Sequence, residues 1–156
     1  MSKSLRRVQS ALEAAGLTID IRETDDSART AEGAAAAVGC TVDQIAKSII
    51  FRGEESGHVV LFLTAGGNRV DPARATEIAG QPLGKADADL IRTETGFAIG
   101  GVAPVGHLRR IQAFVDPRLL EFDLVWAAAG TPRHVFAIAP ADLIRVTGAE
   151  KAAFTA

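Results

Sequence analysis

Residues 47–68 constrain this chain more than any other stretch. KSIIFRG and HVVLFLTAGGN are two β-rich segments on either side of a polar turn, GEESG. Isoleucine, valine and phenylalanine in short runs, bounded by glycine and charged residues, specify strands. The longest apolar run, VVLFL at 59–63, is strand-sized and far short of the ~20 residues that a membrane span needs. The chain is committed to a sheet, and its other segments have to be placed around it.

Helical spacing of Leu5, Val8, Leu12 and Ala15 predicts a first helix that stops at Gly16, and TIDI (18–21) alternates like a short strand. Thr30 has the chemistry to cap a helix through AEGAAAAVG, with Glu32 in the first turn and Gly39 near the end. Thr41 and Gln44 have capping-box spacing for a short helix over VDQIA. Asp71-Pro72 reads as an N-cap followed by proline at the first helical position, opening PARATEIAG, and a further helix fits ADADLIRTETG (86–96). IQAFVD, a turn at Asp116-Pro117, LVWAAAG and the strand HVFAIAP follow, and Pro140 opens a last helix, PADLIRVTGA. Strands that mostly follow one another, with flanking helices, predict an α+β fold around a mixed, curved, barrel-like sheet, with residues 1–156 as one domain.

Charge and cysteine content narrow the function classes. The 17 basic and 19 acidic residues leave a net charge of −2, whereas a protein gripping a long duplex carries a basic excess. Extended DNA binding is disfavoured, and a site touching one or two nucleotides stays open. The N-terminus has no apolar secretory core, and the single cysteine, Cys40, excludes an internal disulfide. A cytoplasmic protein without metal or cofactor is the expectation.

Candidate chemistry is sparse. His58, His107 and His134 share no helical spacing and no acidic partner motif, so a zinc site is not expected. G-x-S-x-G and phosphate-loop motifs are absent. Lys47 stands where a capped helix gives way to the strand SIIF. There it either aims its ammonium into a cleft, to neutralise a phosphate or carboxylate, or snorkels over the core to water. The segment IGGVAPVGH (99–107) places three glycines and a proline in nine positions beside His107. It reads either as a tight turn or as a backbone cradle for a ligand.

QIAKSIIF (44–51), IGGVAPVGH (99–107) and WAAAGTPRHVFAIAP (126–140), in that order and spacing, resemble the YbaK/EbsC family, relatives of the editing domain inserted in bacterial prolyl-tRNA synthetases. The resemblance covers nearly the whole chain. It implies a mixed α+β fold and a free-standing deacylase that hydrolyses mischarged tRNA. The implied substrate carries a small amino acid such as Ala, Cys or Ser. By the same resemblance Lys47 engages the phosphate or ribose of the tRNA 3′ end, with Ser48 beside it. Gly100, Gly101, Val102, Ala103 and Pro104 match the family's G-x-x-x-P loop, with the backbone of Gly100 and Gly101 stabilising an oxyanion, Ala103 leaving room for a side chain and Pro104 stiffening the wall. Gly130 matches a glycine of the later strand loop, Thr30 falls near the pocket-lining segment, and His107 sits at the pocket edge. Ala128-Ala129-Gly130 stands where cysteinyl-tRNA deacylases of the family carry S-A-G, and the missing hydroxyl argues against cysteinyl specificity. The implied partners are the 3′ acceptor end of a mischarged tRNA and an aminoacyl-tRNA synthetase. The competing class is a non-catalytic module that binds the aminoacyl-tRNA end or a free amino acid in the same pocket.

Overall fold

The computed structural model describes residues 2–156. In chain order the elements are α1 (Lys3–Ala14), β1 (Ile21–Glu23), α2 (Ala31–Val38), β2 (Ile45–Gly53), β3 (Val59–Ala65), α3 (Pro72–Ala79), β4 (Leu83–Lys85), α4 (Ala88–Thr95), β5 (Gln112–Val115), β6 (Val125–Ala128), β7 (His134–Ile138), α5 (Pro140–Thr147) and β8 (Glu150–Lys151). Short 3₁₀ turns occupy Asp26–Arg29, Val42–Gln44 and Pro117–Glu121. The strands form one mixed sheet in the order β1-β7-β6-β2-β3-β5-β8, with β4 also paired to β2. The expected α+β class holds, and the sheet stays open rather than closing into a barrel.

The β2–β3 pair is its centre, antiparallel from Ala46↔Ala65 to Arg52↔Val59. Every residue of β3 is buried, because both of its faces are covered. Val59, Leu61, Leu63 and Ala65 join a core with Leu5, Val8 and Leu12 of α1. Val60 and Phe62 face the other way, where Phe62 packs on Phe114 and Phe154 with ring centroids 5.4 and 4.9 Å apart. Fully burying one such side chain is worth about 1.5–3 kcal/mol, so this strand anchors both layers.

Local capping chemistry sets the helix limits. Thr30 accepts the Gly33 N–H, Asp71 accepts Ala73 N–H, and Asp87 accepts Leu90 N–H. Two expectations are corrected. VDQIA is not a helix: Gln44 accepts the Thr41 N–H and closes a single turn, and Ile45 and Ala46 already pair with β6. The strand expected at 18–21 begins at Ile21, where pairing with Phe136 of β7 starts. The short strands β4 and β8 carry no pattern of their own and exist through their neighbours β2 and β5.

Candidate functional site

The site arises from a break in the sheet. β2 and β6 run parallel through Ile45↔Trp126 and Ala46↔Ala127, and the ladder stops there. On the same edge of β2, pairing resumes only at Phe51↔Lys85 with β4. A cavity of about 260 Å³ opens at this break. The 3₁₀ turn and α2 cover it with Ala28, Arg29, Thr30, Ala31 and Ala34, while β2 contributes Ile45 to Ile49. Its far wall is Trp126 to Ala128 of β6, Thr131, Pro132 and the start of β7. The volume lies below the 300–1,000 Å³ usual for drug-sized ligands. It suits a small chemical group, and the many alanines make the wall smooth and apolar.

Lys47 lines this cavity, so of its two sequence readings the cleft position is the one the structure shows. Its Nζ donates to the Asn68 carbonyl oxygen at 2.7 Å. Asn68 is itself held by buried Asp116, whose Oδ2 accepts both Asn68 Nδ2 and the Ala65 N–H, at 2.9 and 3.0 Å. Burial pulls the Lys47 pKa below the ordinary lysine value. Glu32 opposes that shift, Arg69 adds to it, and Asp116 and Asp43 counter it. One donor of the ammonium is fixed and the others remain for an anion or a ribose oxygen.

The loop 99–107 divides by residue. Gly100 and Val102 line the cavity. Gly100 has φ +93°, in the left-handed region that favours glycine. Gly101 faces away from the cavity. A Cβ there would lie 2.7 Å from Thr131 Cα, and its N–H donates to Ala98 O at 3.1 Å, so it is not an oxyanion donor. Ala103 and Pro104 are buried outside the cavity, Ala103 fully in the main core. They support the loop from behind and do not form the amino-acid wall. His107 is also off the cavity: its ring packs against Phe97 and its Nε2 donates to Ala103 O at 2.7 Å. Burial lowers the His107 pKa, Ala103 O opposes this and Arg7 adds to it, so the ring is neutral near pH 7. Gly130 is buried against Phe97 and Ser4, where a Cβ would meet both at 3.0 Å, so its role is packing. Thr30, Lys47, Ser48, Gly100 and Val102 are therefore the expected residues that the fold brings together.

Sequence reading passed over Thr131 and His134, which stand at the cavity three residues apart. Thr131 Oγ1 accepts the Arg133 N–H at 3.2 Å and meets His134 Nδ1 at 2.6 Å. His134 Nδ1 is held by that hydroxyl, and its Nε2 lies 3.6 Å from Glu23 Oε2. Both ring nitrogens are thus turned to protein groups. The signal available was T-x-x-H after Gly130 in a strand-to-strand turn. Arg29 and Trp126 were also missed; Trp126 carries the guanidinium of Arg22 over its ring at 4.9 Å. Cys40 lies outside the cavity, and burial raises its thiol pKa, against nucleophilic use. Among the described residues, no three His, Cys, Asp or Glu side chains converge to hold a metal ion, and no helix is long and apolar enough to cross a membrane.

Comparison with known proteins agrees with this geometry. The sequence profile of the aminoacyl-tRNA editing domain matches residues 25–146. YwhH of Bacillus subtilis (strain 168), an uncharacterised protein, is 31% identical over 124 residues, covering 80% of this chain and 78% of its own. A solved structure of a proposed trans-editing enzyme for prolyl tRNA synthetase is 47% identical. It covers 100% of this chain and 99% of its own, with a TM-score of 0.92. The hypothetical protein APE2540 superposes with a TM-score of 0.86 at 29% identity, covering 96% of this chain and 99% of its own. The chain belongs to the aminoacyl-tRNA editing domain family.

Proposed function

We propose that this member of the aminoacyl-tRNA editing family hydrolyses, in trans, the ester that joins a small amino acid to the 3′ end of a mischarged tRNA. The observation that carries the reading is the cavity itself: about 260 Å³, walled by alanines, with Lys47 among its lining residues. The volume admits a small aminoacyl group and leaves the terminal nucleotide at the mouth. Lys47 and exposed Arg29 are the cations there to meet its phosphate or ribose. Size discrimination in such a wall is modest, about 1–3 kcal/mol per methylene. Similarity to a structure described as serving prolyl tRNA synthetase makes tRNAPro the first tRNA to test.

The chemistry needs positioning more than a side-chain base. An aminoacyl ester is already activated, and the titratable side chains on the cavity are Arg29, Lys47 and the engaged His134. Water attacks the ester carbonyl, oriented by the substrate's own ribose hydroxyl or ammonium. Gly100 and Val102 line the cavity, and their N–H groups, without a partner among the described residues, serve as oxyanion donors in this reading.

A deacylation panel tests this: Ala-, Cys-, Ser-, Thr- and Pro-charged tRNAs with wild type and Lys47→Ala. The expected result is multiple turnover on one or more small-residue esters. Lys47→Ala should slow it by about 100-fold, the cost of misplacing a substrate by ~1 Å. Near-normal turnover of Lys47→Ala removes Lys47 from the mechanism. Stable binding of every charged tRNA without release of amino acid would make the domain a binding module.

A further inference from the structure

The break in the sheet leaves main chain exposed inside the cavity, and the register identifies which groups. The Leu63 carbonyl oxygen accepts the Asp116 N–H and the Ala65 N–H reaches Asp116 Oδ2, so the odd-numbered residues of β3 turn their peptide groups toward β5. Pairing of Phe62 with Ile49 and Thr64 with Lys47 then puts the peptide groups of odd-numbered β2 residues on β3. Ala46, Ser48, Ile50 and Arg52 point theirs to the opposite edge. There Ala46 meets β6 and Arg52 meets β4, but neither strand reaches Ser48. Its N–H and C=O therefore face the gap, side by side. Ser48 Oγ adds a third polar group: among the described residues it is the one buried side-chain oxygen or nitrogen without a hydrogen-bond partner. Buried polar groups are nearly always paired, so such a concentration at one cavity residue calls for a ligand that donates and accepts at once.

We propose that the aminoacyl group of the substrate docks on this free edge as a single residue of the missing strand, with Ser48 as its partner. This rests on the deacylase reading above and names the contact within it. An α-amino ester carries a donor on its α-nitrogen and an acceptor on its carbonyl oxygen, three bonds apart. These match the C=O and N–H of one extended residue, as in a hydrogen-bonded antiparallel pair. The substrate ammonium donates to Ser48 C=O, and a turn about χ1 brings Oγ to accept a second ammonium hydrogen. The Ser48 N–H donates to the ester carbonyl oxygen and holds it as it becomes the oxyanion. Water's oxygen bonds to that carbon, and the C–O bond to the ribose breaks. One proton of the water passes to the departing ribose oxygen and the other goes to solvent, leaving free amino acid and a tRNA 3′ hydroxyl. The free edge makes the α-amino group a requirement, and Ser48 a catalytic residue through its backbone.

Two measurements test the proposal. The first compares wild-type enhancement over spontaneous hydrolysis for alanyl-tRNA and for propionyl-tRNA, which lacks the α-amino group. Enhancement should fall about 100-fold or more for propionyl-tRNA; equal enhancement overturns the docking. The second is Ser48→Pro, which deletes the N–H at an edge where proline leaves the β3 ladder intact. It should lower kcat by about 10²–10³-fold, the range for loss of one oxyanion donor, with KM little changed. Ser48→Ala keeps both main-chain groups and should lose only a few-fold. A backbone ester at position 48, made by semisynthesis, removes the same N–H if the proline variant does not fold. Wild-type kcat in either N–H-deleted protein sinks the proposal alone. Failure of wild type to hydrolyse any charged tRNA sinks the deacylase reading and the proposal with it.

Discussion

Gly101→Ala separates a supporting role for the 99–107 loop from a role in touching the ester. The new Cβ would lie 2.7 Å from Thr131 Cα and carbonyl carbon and 3.0 Å from Pro132 N. These are backbone atoms with no rotamer to move. Restoring ordinary contact, which begins near 3.4 Å, requires the two loops to part by about 0.7 Å. Overpacking of this kind costs about 1–3 kcal/mol. For a protein of this length each kcal/mol lowers Tm by about 2–4 °C, so a drop of roughly 2–12 °C is expected. Thr131 and Pro132 line the cavity, and a shift approaching 1 Å at an active-site wall costs up to ~100-fold in rate. Deacylation should fall by at least about 10-fold.

Gly100→Ala is the internal control. Its Cβ has room, with the nearest atom, Pro132 Cγ, at 3.9 Å, but the residue sits at φ +93°. Its cost is conformational, about 1–2 kcal/mol, without prying the loops apart. Thermal melting by circular dichroism and single-turnover deacylation read both variants. If Gly101→Ala melts within about 1 °C of wild type and turns over normally, the loop contact does not shape the site.

Two further outcomes follow from titratable groups away from the cavity. Buried Glu94 accepts the Val59 N–H at 2.9 Å and meets His58 Nδ1 at 2.7 Å and Arg109 at 3.3 Å. Burial pushes its pKa up, but the His58 and Val59 hydrogen bonds and the charges of His58 and Arg109 outweigh that and leave it below the ordinary value. Its stabilisation is therefore full above the ordinary glutamate pKa and is lost as pH falls through the lowered one. Glu94→Gln should cost about 1–2 kcal/mol at pH 7, discounted for half-exposed partners, and the gap in melting temperature should close in acid. A constant gap would refute the ion-pair account. His107→Ala should lower Tm, because a buried ring and its bond to Ala103 O are removed, yet leave kcat/KM within a few-fold. The native ring resists protonation, so wild type should lose stability as pH falls from the ordinary histidine pKa through the lowered one, and the variant should show less of that loss. A variant crippled in turnover but not in Tm would return His107 to the site.

The parts of the fold that sequence made legible are those where one short segment contains its own cause. β2 and β3 follow from their composition, and the caps Thr30, Asp71 and Asp87 lie next to the N–H groups they accept. For Lys47 the local pattern leaves a cleft and a snorkelling position open, and the family resemblance points to the cleft, where the residue lies. The 99–107 loop is not the single unit that its glycines and proline suggest. Gly100 and Val102 meet the cavity, whereas Gly101, Ala103 and Pro104 are buried outside it. Thr131 and His134 escaped because their side of the turn depends on pairing between β6 and β7, which no local pattern shows.

The break that makes the site has the same non-local origin. After Ala128 the chain turns back: Ala129 N–H donates to the His134 carbonyl oxygen, and Thr131 Oγ1 ties the turn to the His134 ring. β6, paired with β7 from Val125↔Ile138 to Ala128↔Val135, ends at this turn, so the chain leaves the edge of β2 after Ala128. Gly101, packed against Thr131 and Pro132, fixes the same turn from the other side. The residues that resemble an editing site in sequence are thus of two kinds. Some touch the cavity, and others keep β6 away from Ser48 so that a free strand edge exists at all. Substitutions of the second kind should lose activity in proportion to the displacement of this turn, whatever chemistry the new side chain carries.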